Sequence, residues 1–111
     1  MGRSGLGELG TIVLATVHRL GDEVTGTVAY EDLTERAGRD PTVPAVHVTL
    51  RRLESKGLLH SRLGGVSPRG GRRQRLFSLT SEGRTALAES RAMWARVFDG
   101  LGLADAPESG S

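Results

Sequence analysis

Thr42-Val43-Pro44-Ala45-Val46-His47-Val48-Thr49-Leu50-Arg51-Arg52-Leu53-Glu54-Ser55-Lys56-Gly57 reads as a helix with two faces. At the 3.6-residue period, Val46, Leu50 and Leu53 fall on one stripe that Gly57 continues, while Pro44, Val48, Arg51, Arg52 and Ser55 fall on the opposite side. The apolar stripe has to be buried. The other face carries two guanidiniums and no carboxylate at its centre, which suits a phosphate backbone and groove edges better than plain water. The spacing therefore predicts a recognition helix over 42–57. Thr42 is its expected N-cap, Pro44 falls in the first turn where a missing N–H costs nothing, and Gly57 stands where a left-handed residue ends a helix.

Directly after this helix, residues 58–79 read as a wing: a strand over Leu58 to Leu63, a glycine-rich tip over Gly64 to Arg73, and a returning strand over Gln74 to Leu79. Alternation turns Leu59, Leu76 or Phe77, and Leu79 toward the helices. Arg69, Arg72, Arg73 and Arg75 lie among glycines that let a chain approach DNA closely, and no acid occurs between Lys56 and Leu79. A helix joined to a basic-tipped hairpin is the layout of a winged helix-turn-helix, with the helix for the major groove and the hairpin for the backbone or minor groove.

Upstream, Leu6 to Leu20 predicts a first helix with Leu9, Ile12, Val13, Thr16, Val17 and Leu20 buried, Leu6 and Leu14 on its flanks, and Gly21 as its C-cap. Asp22 to Gly26 reads as a loop. Thr27 to Ala37 reads as a second helix with Val28, Leu33 and Ala37 inward and Glu31, Asp32 and Glu35 outward, and Gly38 to Pro41 is the turn into the recognition helix. Downstream, Thr80 or Ser81 opens a last helix over 80–102, with Glu82 in its positive first turn. Leu87, Ser90, Trp94, Val97, Phe98 and Leu101 share its broad stripe, with Met93 beside it. Residues 103–111 read as a disordered tail that covers none of this surface. A second copy of the helix, or the first helix of a partner through Leu9, is the simplest cover and implies a twofold homodimer; folding back on its own domain is the plainer reading. The fold class is mainly α with a small β-hairpin: a winged helix-turn-helix domain over 1–79 and a C-terminal dimerisation helix.

The 111 residues, 37% hydrophobic, make one domain with a modest core. With no cysteine there is neither a disulfide framework nor a thiolate metal site, which suits a reducing cytoplasm. The apolar run Thr11 to Val17 is too short to span a bilayer and lacks the cleavage site of a signal peptide. Net charge is only +2, but residues 1–40 hold four basic and seven acidic side chains, 41–79 eight and one, and 80–111 three and five. The basic block coincides with the helix and hairpin expected on DNA. His18, His47 and His60 have no ligand spacing, the Gly-Gly pairs lack the Gly-Lys-Ser/Thr that cradles nucleotide phosphates, and no Ser-His-acid arrangement is legible, so no metal, cofactor or catalytic activity is expected.

Several motifs together resemble one family: Leu6-Gly7-Glu8-Leu9 with Val13-Leu14, Leu20-Gly21-Asp22-Glu23, Glu35 to Arg39, Val46 to Leu58, Gly70 to Arg73, and Leu79 to Arg84. Their order and spacing over nearly the whole chain are similar to PadR-type transcriptional regulators of the short class with one C-terminal helix. The resemblance implies a winged-helix dimer joined through its C-terminal helices, a palindromic double-stranded operator, and repression. It departs at His47, where the family commonly has tyrosine, at Thr25-Gly26 in place of Tyr-Gly, and at Pro44-Ala45 ahead of Val46. Pro44, Ala45, His47 and Val48 are therefore where operator preference is expected to differ.

On DNA, Val48, Thr49, Arg51 and Arg52 are expected to approach the major groove with Thr42, Pro44, Ala45 and His47 beside them. Lys56 and Arg62 are expected to meet the backbone, and Arg69, Arg72 and Arg73 to supply the wing contacts. Leu9, Leu87, Trp94, Val97, Phe98 and Leu101 form the expected dimer interface. In some relatives a tryptophan at a similar place stacks on flat aromatic ligands, so the resemblance adds a small aromatic effector at Trp94, against the plainer reading of Trp94 as a bulky dimer-core residue. A winged-helix protein-interaction module without DNA binding is the alternative, and the eight basic side chains of 41–79 argue against it.

Overall fold

A computed structural model describes residues 6–36, 38, 40–66 and 73–99. Within them the chain forms α1 (Gly7–Leu20), α2 (Gly26–Arg36), α3 (Val43–Ser55), β1 (Leu59–Val66), β2 (Arg73–Leu79) and α4 (Ser81–Asp99), with β1 and β2 an antiparallel pair. Ala37, the segment 67–72 with Arg69 and Arg72, and the expected disordered tail lie outside the described residues.

α1 is the centre of the domain, touching α2, α3, α4 and β2. That corrects its predicted face. Val13, Thr16 and Val17 are buried as expected, but so are the two flanking residues, Leu6 and Leu14, while Leu9, Ile12 and Leu20 remain partly exposed. A helix packed from several sides buries more than a single stripe. Gly21 ends it in the left-handed region at φ 90°.

α2 begins one residue earlier than predicted, because Thr25 caps it: the Thr25 hydroxyl accepts from Val28 N–H at 3.2 Å. Its inward pair is Ala29 and Leu33, and Val28 is exposed. Val28 and Leu33 stand five residues apart, about 140° around the axis, so the two cannot share an inward face as predicted. Asp32 is not outward either; its half-buried carboxylate binds Arg19 of α1.

The connection after α1 is more than a loop. Asp22 and Glu23 both take positive φ, and Val24 then runs antiparallel to β2, exchanging two 2.9 Å backbone hydrogen bonds with Phe77. Two side-chain links reinforce it: Asp22 Oδ1 accepts from Leu79 N–H and Ser78 Oγ accepts from Glu23 N–H. The α1–α2 turn is thereby bound to the hairpin, which explains why Phe77, Ser78 and Leu79 are buried in succession where simple alternation would expose one of them.

In the hairpin, Leu59 pairs with Leu79, Ser61 with Phe77, Arg62 with Leu76 and Leu63 with Arg75, and the register slips between Leu63 and Val66. Of the two residues left open by the sequence, Phe77 is the one that enters the core. The strands extend farther toward the tip than predicted. α4 is capped by Thr80, whose hydroxyl accepts from Gly83 N–H at 2.9 Å and donates to the Gly57 carbonyl at 2.7 Å. The described helix ends at Asp99, within the predicted 80–102 span.

Candidate nucleic-acid interface

α3 is held as its pattern requires. Val46, Leu50 and Leu53 are 0–1% exposed, each contributing roughly 1.5–3 kcal/mol relative to a solvated position. The Thr42 hydroxyl accepts from Ala45 N–H at 3.1 Å, Pro44 sits in the first turn, Lys56 is the C-cap, and Gly57 comes next at φ 80°. The helix proper is Val43–Ser55, slightly shorter than 42–57.

The opposite face projects into solvent. Pro44, His47, Val48, Arg51, Arg52 and Ser55 are all exposed, as are Thr42 and Lys56, and Ala45 is half-buried. Among the described residues neither Arg51 nor Arg52 forms an ion pair, so Glu31 and Glu35 do not neutralise them. Thr49 corrects the predicted set: it is buried and its hydroxyl donates to the Ala45 carbonyl at 2.8 Å. At 100° per residue it falls about 40° beyond Leu53, on the edge of the buried stripe, which turns it inward.

His47 rests against the start of α2. A Cβ placed on the buried Gly26 would clash with its Cε1, so His47, a departure from the family pattern, packs on the glycine that the pattern keeps. Any residue larger than glycine at position 26 displaces the imidazole.

The wing has two chemically different faces. Alternation puts Leu59 and Ser61 on the α3 side and His60 and Arg62 on the other. Arg62 forks onto Glu23, with Nε to Oε2 at 3.0 Å and Nη2 to Oε1 at 2.5 Å. The hydrogen bond from Arg62 holds the Glu23 carboxyl below its usual range, and the same bond raises the guanidinium further. Arg62, expected at the DNA backbone, thus has an exposed carboxylate of its own chain as partner, on the face away from α3.

The α3 face instead offers Arg75, a wing charge to which the sequence assigns no contact. Its Nη1 donates to Ser61 Oγ at 2.9 Å, and Ser61 Oγ donates to Glu54 Oε2 at 2.7 Å. Glu54, the one acid of the basic block, is thus turned to clip the wing to the last turn of α3. The signal lies in the strand alternation: Arg75 is two residues from Phe77, hence on the same side. Arg73 is exposed, with its Nε on the Gly64 carbonyl at 3.0 Å.

On α4, Met93, Trp94, Val97 and Phe98 are 42–52% exposed, and the Trp94 and Phe98 rings stack at 5.5 Å with 20° between planes. They do not fold back on their own domain. Leu87 and Leu9 differ from the rest of the predicted interface: both are partly buried against the core of the same chain. Leu101 lies outside the described residues. A shallow depression on α4, lined by Ser81, Glu82, Thr85, Ala86 and Glu89, opens at the other end of the helix from Trp94. Among the described residues no helix is long and apolar enough to cross a membrane.

A helix-turn-helix followed by a hairpin and a protruding helix defines a winged-helix protein, and its solved relatives specify which kind: the fold is the PadR-like winged helix. A PadR-family transcriptional regulator from Eggerthella lenta DSM 2243 is 28% identical, with a TM-score of 0.69 over 84% of this chain and 80% of that one. PadR of Bacillus subtilis, solved with operator DNA, is 17% identical, with a TM-score of 0.64 over 96% of this chain but 54% of its own length. Bordetella bronchiseptica BpsR, whose DNA binding is regulated by 6-hydroxynicotinic acid, is 20% identical, with a TM-score of 0.68 over 95% of this chain and 73% of that one. No protein-family profile and no curated protein sequence matches the chain.

Proposed function

We propose that this protein is a sequence-specific DNA-binding transcription regulator of the PadR type, a cytoplasmic homodimer that represses from a palindromic operator. The observation that carries the reading is the pair Arg51 and Arg52, without ion pairs among the described residues, on the free face of a helix whose other face is locked into the core. Arg51, Arg52 and Val48 enter the major groove with Pro44, Ala45 and His47 alongside, Thr42 and Lys56 flank them, and Arg69, Arg72 and Arg73 contact the backbone from the wing, with Arg75 added on the α3 side. Dimerisation through Trp94, Val97 and Phe98, with Leu101 expected to join them, accounts for the exposure of the first three to water. A protein-interaction module without DNA binding has little use for eight basic side chains in residues 41–79 and should not shift any DNA.

Counterion release sets the test. Operator affinity falls with salt along a log–log slope on the order of −4 to −8 for the dimer, Arg51→Ala relaxes sequence preference, and Arg72→Ala weakens all sequences about equally. Gel-shift titrations at several salt concentrations measure all three, and salt-independent binding rules the reading out. The stacked Trp94–Phe98 pair favours one extension: a planar aromatic effector that inserts at the dimer interface and changes the spacing of the recognition helices. Quenching of Trp94 by a panel of planar compounds tests it, and indifference to every member returns Trp94 to the dimer core alone.

A further inference from the structure

Val48 is 55% exposed at the middle of the free face of α3, and its neighbours on that face are Pro44 one turn before and Arg51 and Arg52 one turn after. It is exposed and lies outside the buried core, yet the residues beside it in the chain hold its backbone in place. Thr49 and Leu50, the next two residues, are buried, and Val46 two residues earlier is fully enclosed. Valine in a helix is also confined almost to one rotamer, so contact through its methyls loses little freedom.

We propose that Val48 is a specificity-determining residue that selects a thymine through its C5 methyl group, an inference that rests on the DNA-binding reading above. Of the groups that base edges present in the major groove, the thymine methyl is the only apolar one; the others are hydrogen-bond donors and acceptors. A valine pressed on those strips their water and returns nothing, so the preference is enforced by penalty as well as by contact. Arg51 lies about 4.5 Å farther along the helix axis, slightly more than one base-pair step, so its guanidinium reaches an adjacent pair without competing for the same edge. Methyl and guanidinium readers thus divide the half-site between them.

The experiment is selection of binding sites from randomised duplex DNA with the full chain, followed by replacement of each thymine of the selected site by uracil, which removes the methyl and leaves every hydrogen-bonding group in place. With the wild type, one thymine per half-site is expected whose replacement weakens binding about fourfold, the effect of one buried methyl. Val48→Ala, a substitution at an exposed helical site that leaves the melting temperature essentially unchanged, is expected to bind the thymine and uracil sites equally. Indifference of the wild type to every uracil, or a uracil penalty that persists in Val48→Ala, overturns the assignment while leaving the regulator intact. Failure of the wild type to enrich any sequence overturns the regulator reading and this inference with it.

Discussion

Replacing Gly83 by alanine tests how α4 is joined to the winged domain. In an exposed helix that change is stabilising by about 1 kcal/mol, since alanine loses less backbone freedom. Here a Cβ would lie 2.0 Å from the Leu58 carbonyl oxygen and 3.0 Å from its carbon. Both sides of the clash are backbone, so the helix start must retreat by more than about 1 Å, on the scale of ordinary carbon–oxygen contacts. That retreat breaks the Thr80 N–H bond to the same Leu58 carbonyl, 3.1 Å long, and the 2.7 Å bond from the Thr80 hydroxyl to the Gly57 carbonyl. Two lost hydrogen bonds at about 1 kcal/mol each, plus overpacking at about 1–3 kcal/mol, outweigh the helix gain and leave a net loss of about 2–4 kcal/mol.

Thermal unfolding followed by circular dichroism, with protomer concentration held fixed because assembly shifts the midpoint, should show Gly83→Ala melting roughly 10–20 °C below the wild type. Thr85→Ala, an exposed site two residues on, serves as the control and should stay within about 0.5 kcal/mol. A Gly83→Ala protein as stable as the wild type, or more stable, refutes the close approach of α4 to Leu58.

On the surface, Trp94→Ala should raise the dimer dissociation constant by about a thousandfold, because each interface loses two copies of a central aromatic; unchanged sedimentation at micromolar protein would remove Trp94 from the interface. Glu23→Gln cuts the fork to Arg62. Since the folded state lowers the pKa of Glu23 from its ordinary 4.5, the stabilisation is present above that value and disappears as pH falls through the lowered one. The melting temperatures of wild type and Glu23→Gln should therefore differ slightly at neutral pH and low salt, and converge as the pH falls below the lowered pKa; a gap that persists in acid assigns the effect to something other than charge. The convergence should also appear at high salt, because both side chains are solvated.

Much of the fold is legible because its signals are local. Thr42, Pro44 and Gly57 bound α3, Gly21 ends α1, and Thr80 opens α4, each through a conformational preference that needs no tertiary partner. The period-3.6 pattern also orients α3 correctly, since that helix has one buried face. It fails on α1, which is enclosed from several sides, and on Val28, where Ala29 is too small to stand out despite its correct spacing from Leu33. In the sequence, Gly83 shows only that no returning carboxylate completes a capping box at the start of the last helix. Its reason lies 25 positions upstream at Leu58, a contact that no local pattern signals.

The interface divides the same way. A charge count locates the basic block but not the partner of each charge. Arg51, Arg62 and Arg75 are chemically identical in the sequence, yet one is free on α3, one is forked on Glu23, and one is tied through Ser61 to Glu54. The difference arises from the α1–α2 turn, where consecutive left-handed residues bring Glu23 across the hairpin, a conformation that non-glycine residues seldom adopt and that a loop reading does not anticipate. Held from one side by that turn and from the other by Glu54, the wing is fastened at both edges to the elements that carry α3. The described strands of the wing are then held at a set distance from α3, which is the condition under which backbone contacts from them would fix the register of the base contacts proposed for Val48 and Arg51.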